Sequence, residues 1–379
     1  MKTIDIIGAG IGGLTMAIAL EQKGFKTRVF EQTENIKPIG AGIILANNAM
    51  QVYKALGLHK IIEEKGNHIS SLNITKPDLI PLSKVNLSSF EHEYGVKNIA
   101  IHRGVLQQIL IDQLSPSSSL KLNHKLEKIT KNSNGHTLEF KTGQTIQSST
   151  LIAADGLNSI VRQQLFSKTN IRNVQQICWR GITDYSLPLK YQNEINEAWG
   201  KSNRFGFVQI AKNKVYWYAL KSLKKNKEEL NSNNIKNYFS QYKTIIQEII
   251  SSTNKKQIHT AEISDLKPIK QWYKENVCLI GDAAHAMTPN MGQGACQAIE
   301  DAFILSECLS KYQNNIAFKK FQKLRIKKAH QVVKKSWMIG KIAHLSNPFL
   351  INIRNQIIKL TPESINKKQF NQIFKISRL

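Results

Sequence analysis

Three glycines near the start of the chain, Gly8, Gly10 and Gly13, stand in the spacing G-x-G-x-x-G within GAGIGG. Such a turn holds a pyrophosphate. The first glycine makes the bend, the second lets the backbone approach the phosphates, and the third allows the following helix to pack closely on the preceding strand. The helix N-terminus then faces the phosphate charge. Glu31 follows at the end of the next apolar segment, placed to accept hydrogen bonds from a ribose diol. A carboxylate there suits an unphosphorylated ribose and repels a 2′-phosphate, so the pattern selects FAD or NAD over NADP.

A second group lies far down the chain. GDAAHAMTPNMGQG puts Asp282 at a strand end, followed by Pro289 and by a Gly292, Gln293, Gly294 turn that opens a helix. Nothing in a nicotinamide dehydrogenase requires this second motif. His285 beside Asp282 has the type of a general base, but a histidine at a strand-to-helix turn next to a cofactor acid more often serves as a structural hydrogen-bond donor. Cys178, Cys278, Cys296 and Cys308 form no CxxC pair and have no histidine at ligand spacing, so no metal site is expected and reduced, buried thiols of a cytoplasmic protein are.

The elements that must carry these groups follow from periodicity. Thr3 to Ile7 reads as a strand, LTMAIALEQKG as a helix stopped by Gly24, and KTRVF as a second strand ending at Glu31. Leu72 to Gly95 reads as polar and strand-like, and IHRGVLQQILIDQL as a helix through Leu106, Ile109, Leu110 and Leu114. Thr150 to Ala154 and Asn276 to Ile280 are further buried strands; Ile177 to Leu220 carries short aromatic strands suited to a separate sheet that walls a pocket. Segments 224–234 and 251–257 read as surface loops. The resulting fold class is α/β, with a discontinuous Rossmann-like dinucleotide domain, a smaller antiparallel-sheet substrate domain and C-terminal helices. The expected division is 1–70, 96–170 and 268–345 for the first, 71–95 and 171–267 for the second, and 346–379 for a helical tail.

At 379 residues the chain is long enough for two packed units. The glycines and Asp5 inside the first apolar run argue against a signal peptide, and no stretch approaches the roughly 18 apolar residues needed to span a bilayer. The formal charge of +26 is the outlier. Its lysines are spread rather than blocked and no aromatic residues interleave them, which opposes nucleic acid as a partner. The tail after Pro348 alternates apolar and basic residues: a helix packed on its own domain with a solvated lysine face is the expectation, and weak membrane-surface contact the sharper alternative.

Three motifs in order, GAGIGG with Glu31, ADGLNSIVR, and GDAAHAMTPNMGQG, resemble the aromatic-ring hydroxylase family of FAD-dependent monooxygenases, which includes para-hydroxybenzoate hydroxylase. The resemblance spans most of the chain and is closest in pattern to the urate hydroxylases, with zeaxanthin-epoxidase-like enzymes nearby. It implies FAD, bound non-covalently, with NADH or NADPH as co-substrate. Reduced flavin would react with O2 to a C4a-hydroperoxide that transfers one oxygen atom to a small aromatic, heterocyclic or terpenoid substrate. It further implies that Asp282 binds the ribityl chain, that Arg103 reaches the phosphate region, and that Asp155, with Gly156 and Arg162, belongs to a motif linked to both nucleotides. The backbone from Gly292 through Ala295 to Cys296 would meet the flavin ring. Gly12, Gln32, Ile44 and Leu126 complete the implied cofactor contacts.

Arg204 in RFGFVQI and Tyr216 in KVYWYAL fall where urate hydroxylases place substrate-anchoring residues. An arginine offers a planar fork of donors to an enolate, urate or carboxylate oxygen. The same scaffold would also suit a reductase of isoprenoid chains, or a non-catalytic flavoprotein on a membrane surface. Monomer and homodimer are both compatible with the sequence.

Overall fold

The computed structural model describes residues 3–36, 41–116, 118–166, 169–223 and 232–377. Strands Thr3–Ile7 and Lys26–Phe30 pair in parallel, with the helix Ile11–Glu21 crossing between them. That helix is apolar nearly all round, which requires cover on several sides. The helix Gly294–Lys311 supplies part of it, approaching so closely that a Cβ on Gly12 would lie 3.1 Å from Ala298.

These strands belong to a six-stranded sheet. Its order is Tyr273–Lys274, Val277–Leu279, Leu151–Ala153, Thr3–Ile7, Lys26–Phe30, Ser119–Lys121, parallel except for the first pair. Ile7 pairs with Ala153, and Ala153 with Leu279, so the carboxyl ends of three neighbouring strands are level. From those ends the chain runs into Gly8, Asp155 and Gly281. Ligands of open α/β sheets bind in this crevice.

A seven-stranded sheet stands opposite, in the order His259–Leu266, Ile171–Asp184, Lys214–Ser222, Asn203–Ala211, Glu194–Trp199, Ser71–Thr75, Pro81–Asn86. It is antiparallel except where Glu194–Trp199 pairs with Ser71–Thr75. One face buries Trp179, Phe205 and Trp217 against the helix Thr244–Ser251, with the Phe205 and Trp217 rings stacked at 5.5 Å. The strands here are longer than the sequence suggests: Ile171–Asp184 has 14 residues, pairing with Lys214–Ser222 along one edge and, across a bulge after Asn173, with His259–Leu266 along the other.

Two other expectations need correction. Leu72 to Gly95 is not strand throughout, since Ser88–Tyr94 forms a helix ended by Gly95 in the left-handed region at φ 65°. Its single buried anchor, Phe90, meets Phe374 edge-on at 5.1 Å, a contact the local pattern does not reveal. The tail is two helices, Pro348–Leu360 and Glu363–Phe374, and both touch the strand Pro81–Asn86 of the seven-stranded sheet. Segment 224–231 lies outside the described residues, and Ser232–Asn234 is a short 3-10 turn. No helix among the described residues is long and apolar enough to cross a membrane.

Candidate active site

A cavity of ≈ 1450 Å³ runs from the glycine turn, between the two sheets, to the tail helices. Single small-ligand pockets are roughly 300–1,000 Å³, so this space accommodates a large cofactor and a substrate together. Gly8, Gly10, Gly12, Glu31 and Gln32 line its first end. Gly8 has φ 101°, and a Cβ there would lie 2.5 Å from the Ala154 carbonyl. At Gly10 a Cβ would meet nothing within 4 Å, so bare backbone faces open space, the cradle a pyrophosphate needs. The Ala9 N–H donates to Glu31 Oε2 at 2.9 Å and the Thr33 N–H to Oε1 at 3.0 Å, which fixes the carboxylate beside the turn. Each oxygen retains acceptor capacity for a ribose hydroxyl.

Asp155, Asp282 and Arg103 line the middle. Asp155 Oδ1 is buried and has no partner among the described residues. Burial pushes the Asp155 carboxyl up, against the opposing effect of hydrogen bonds from Ser159 and Val161. The Asp282 surface opens onto the cavity while protein encloses it on the other sides. Enclosure raises its pKa, and the charges of His285 and Arg103 pull it back. Arg103 is held by its backbone N–H on the Ala41 carbonyl at 2.9 Å. Ile44 and Leu126 supply apolar walls.

Pro289, Gly292, Gln293, Gly294 and Ala295 form the rim opposite. The helix Gly294–Lys311 starts there with no side-chain cap, leaving its first N–H groups for a ligand. A buried ion network fixes that helix. Arg325 donates to Asp301 Oδ1 at 2.8 Å and to Glu300, and Lys328 reaches Glu300 at 2.8 Å. His285 belongs to this network, with Nε2 2.5 Å from Asp301 Oδ2, and does not line the cavity.

Two residues expected at the cofactor do not line the cavity. Gly13 faces inward, where a Cβ would come within 1.9 Å of the Gly8 carbonyl. Its role is packing. The Cys296 thiol donates to the Ile44 carbonyl at 3.4 Å, and burial pushes it up to about 12, so it stays protonated. Arg162 of the middle motif also stays out, donating to the carbonyls of Ala283 and Leu157 and tying two loops together.

Arg204 and Tyr216 do line the cavity. Tyr216 lies flat on Gly42, where a Cβ would fall 2.4 Å from the ring. Burial raises its hydroxyl, and the charges of Arg180 and Arg103 act against the rise. Arg204 is 1% exposed and already engaged. Nη1 donates to Glu197 Oε1 at 2.9 Å and Nη2 to Asn290, while the buried Nε has no partner among the described residues. Glu197 also accepts from Trp199 Nε1 at 2.6 Å and from the Tyr218 hydroxyl.

Sequence reasoning missed Glu197, Tyr218, Asn290 and Arg354, all on the cavity wall. Tyr218 was detectable, because it shares a strand face with Tyr216 at spacing two. Glu197 carries no such signal.

Residues 1–336 match the family described as FAD binding domain. The chain belongs to this family. Over 361 residues it is 34% identical to the aurachin C monooxygenase/isomerase of Stigmatella aurantiaca, covering 94% of each chain. It is 28% identical to the 2-heptyl-3-hydroxy-4(1H)-quinolone synthase of Pseudomonas aeruginosa, covering 98% of this chain and 97% of that one. Among solved structures, Klebsiella pneumoniae HpxO complexed with FAD and uric acid superposes with a TM-score of 0.90 at 22% identity, over 99% of this chain and 97% of that one, a likeness of fold. This member of the FAD binding domain family is an FAD-dependent monooxygenase, with NAD(P)H as the co-substrate typical of such enzymes. The open backbone at Gly10, the Glu31 carboxylate, the unpartnered Asp155 oxygen and the uncapped helix at Gly294 fit FAD.

Proposed function

We propose that this enzyme hydroxylates a neutral, flat, nitrogen-containing ring that carries an aliphatic tail, a quinolone-type substrate. One observation carries the reading: besides Arg204, the cavity lining includes a group of apolar side chains, Leu72, Ile74 and Val85 from the seven-stranded sheet and Ile353, Ile357 and Phe370 from the tail helices. A ring near Arg204 would send a tail among them. Arg204 and Glu197 neutralise each other, so the wall offers polar atoms without net charge, and an anionic substrate would find its natural partner occupied. The name of one relative, the 2-heptyl-3-hydroxy-4(1H)-quinolone synthase, supports the same class.

FAD, when bound, supplies the oxygen-transfer chemistry and takes its electrons from NAD(P)H. The protein's residues bind and orient. Glu31, the glycine turn, Asp155 and Asp282 would hold the cofactor. The Gly294–Lys311 N-terminus would place positive potential where negative charge develops on it. Tyr216 and Tyr218 would orient the ring, and the apolar walls would exclude water. The setting is the cytoplasm, where NAD(P)H and reduced thiols are at hand.

The test is NAD(P)H-driven bleaching of the flavin in the presence of 2-alkyl-4-quinolones of increasing chain length and of urate. Acceleration should grow with the tail and be absent with urate. Acceleration by urate and not by alkylated rings would reject the proposal.

A further inference from the structure

The tail helix Pro348–Leu360 leaves a stripe of large apolar residues bare. Phe349, Ile353, Ile357 and Leu360 recur at the spacing of one helix face, and all are exposed; Phe349 is 70% and Leu360 76% accessible. Met338 and Ile342, one turn apart on the helix Asn314–Ala343, extend the patch. The helix is anchored on its flank, where Arg354 is buried and donates to the Ala343 carbonyl at 3.1 Å. The Asn347 side chain caps the start of the helix through the Phe349 N–H at 2.9 Å. A contiguous apolar patch on a well-held helix marks an interaction surface.

Charge identifies what covers it. From residue 331 to the end the sequence has nine Lys and Arg and one acid, Glu363. Lys341 and Lys359 stand beside the stripe, and Lys367 and Lys368 lie on the next helix, all exposed. An apolar ridge bordered by lysines matches the interface of a bilayer rich in anionic lipid, where the ridge enters the headgroup boundary and each lysine adds attraction. A protein partner of ordinary composition would need a matching acidic rim around an apolar groove. The patch is also continuous with the site: Ile342, Ile353 and Ile357 are exposed and line the cavity that ends at the glycine turn.

We propose that the Phe349 to Leu360 face of this helix docks on an anionic membrane surface, setting the mouth of the cavity against the lipid so that the substrate passes from bilayer to active site without crossing water. The attachment is peripheral, by one helix lying in the interface. The delivery role rests on the lipophilic substrate proposed above; the docking does not.

The experiment is co-sedimentation of the FAD-loaded enzyme with vesicles, without substrate, at physiological salt. Vesicles containing phosphatidylglycerol are compared with pure phosphatidylcholine. The variant is Phe349→Ser/Leu360→Ser, two positions outside the cavity wall, accepted only if its flavin spectrum and melting temperature match the parent. The parent should bind the phosphatidylglycerol vesicles and bind phosphatidylcholine far less, and the variant should lose binding by about fivefold or more. Three results overturn the proposal: no binding by the parent, equal binding by the variant, or a parent dimer that the variant converts to monomer, which would assign the face to a second copy of the chain. Vesicle binding needs no turnover, so its failure leaves the proposed chemistry standing, while failure of quinolone-stimulated flavin reduction leaves the docking standing.

Discussion

Arg204 and Glu197 form an ion pair at 2.9 Å within the cavity wall, and Trp199 and Tyr218 donate to the same carboxylate. A buried charge so paired presents little field to a ligand. Glu197→Gln would unmask Arg204 and leave a crowded set of donors around a weaker acceptor. The expected outcome is a fall of about tenfold in kcat/KM for a neutral alkylated ring, or ~1.4 kcal/mol, with tighter binding of ring carboxylates. Steady-state kinetics and flavin-perturbation titrations check both. Unchanged selectivity would mean the pair does not govern substrate charge.

Two glycines of one turn should fail in different ways. Gly10→Ala adds a methyl group to open cavity space, whereas Gly13→Ala drives one into the Gly8 carbonyl. The first variant should fold with the melting temperature of parent apoprotein and lose FAD. The second should fold poorly whether or not FAD is supplied. Thermal melts of apo and reconstituted protein, with flavin absorbance, separate the two, since a ligand stabilises only a fold able to bind it.

The helix that opens at Gly294 owes its position to Glu300 and Asp301, held by Arg325 and Lys328. Arg325→Ala leaves two buried carboxylates facing a partner too few. Breaking such a network costs about 3–5 kcal/mol. A denaturant titration should show that loss, and a midpoint shift under 1 kcal/mol would contradict it. Asp301 itself is pushed up by burial but drawn below its ordinary range, to about 2, by His285 and Arg325.

His344, 2.9 Å from Ser222 Oγ, is lowered to about 3 by burial and by the charge of Arg204. The unfolded chain binds this proton near pH 6.5 and the folded one does not until about 3, so stability falls as pH drops from 6.5 toward 3. Between pH 6.5 and 5 the loss from this group is about 2 kcal/mol. Asp301 contributes the same direction lower down, its stabilisation present above its unfolded pKa and lost as pH falls through about 2. Denaturant midpoints at pH 7 and pH 5 should converge in His344→Gln relative to the parent. Equal pH sensitivity in both proteins would contradict the assignment.

The dinucleotide half was legible in the sequence because its signals are local. A glycine turn, an acid at the next strand end and a strand-to-helix motif each sit within a few residues of the backbone they shape. The substrate half was legible only in part. Tyr216 and Arg204 stand in aromatic strands, but Glu197, which decides what Arg204 can bind, reads as a surface acid until the strands Glu194–Trp199 and Asn203–Ala211 pair. The apolar lining was not legible, since Val85 and Phe370 come to one cavity only through the folding of the tail onto a sheet edge. The Ser88–Tyr94 helix was missed for the same reason, its anchor Phe90 lying against Phe374.

The proposed reaction inserts oxygen from O2 into a neutral ring whose aliphatic tail lies in the cavity beside the helix Pro348–Leu360. Its most direct measurement is mass spectrometry of the product formed from a 2-alkyl-4-quinolone, NAD(P)H and isotopically heavy O2. The expected result is one heavy oxygen atom in the product and a rate that rises as the tail lengthens. A product without oxygen from O2, or turnover of urate in preference to every alkylated ring, would contradict it.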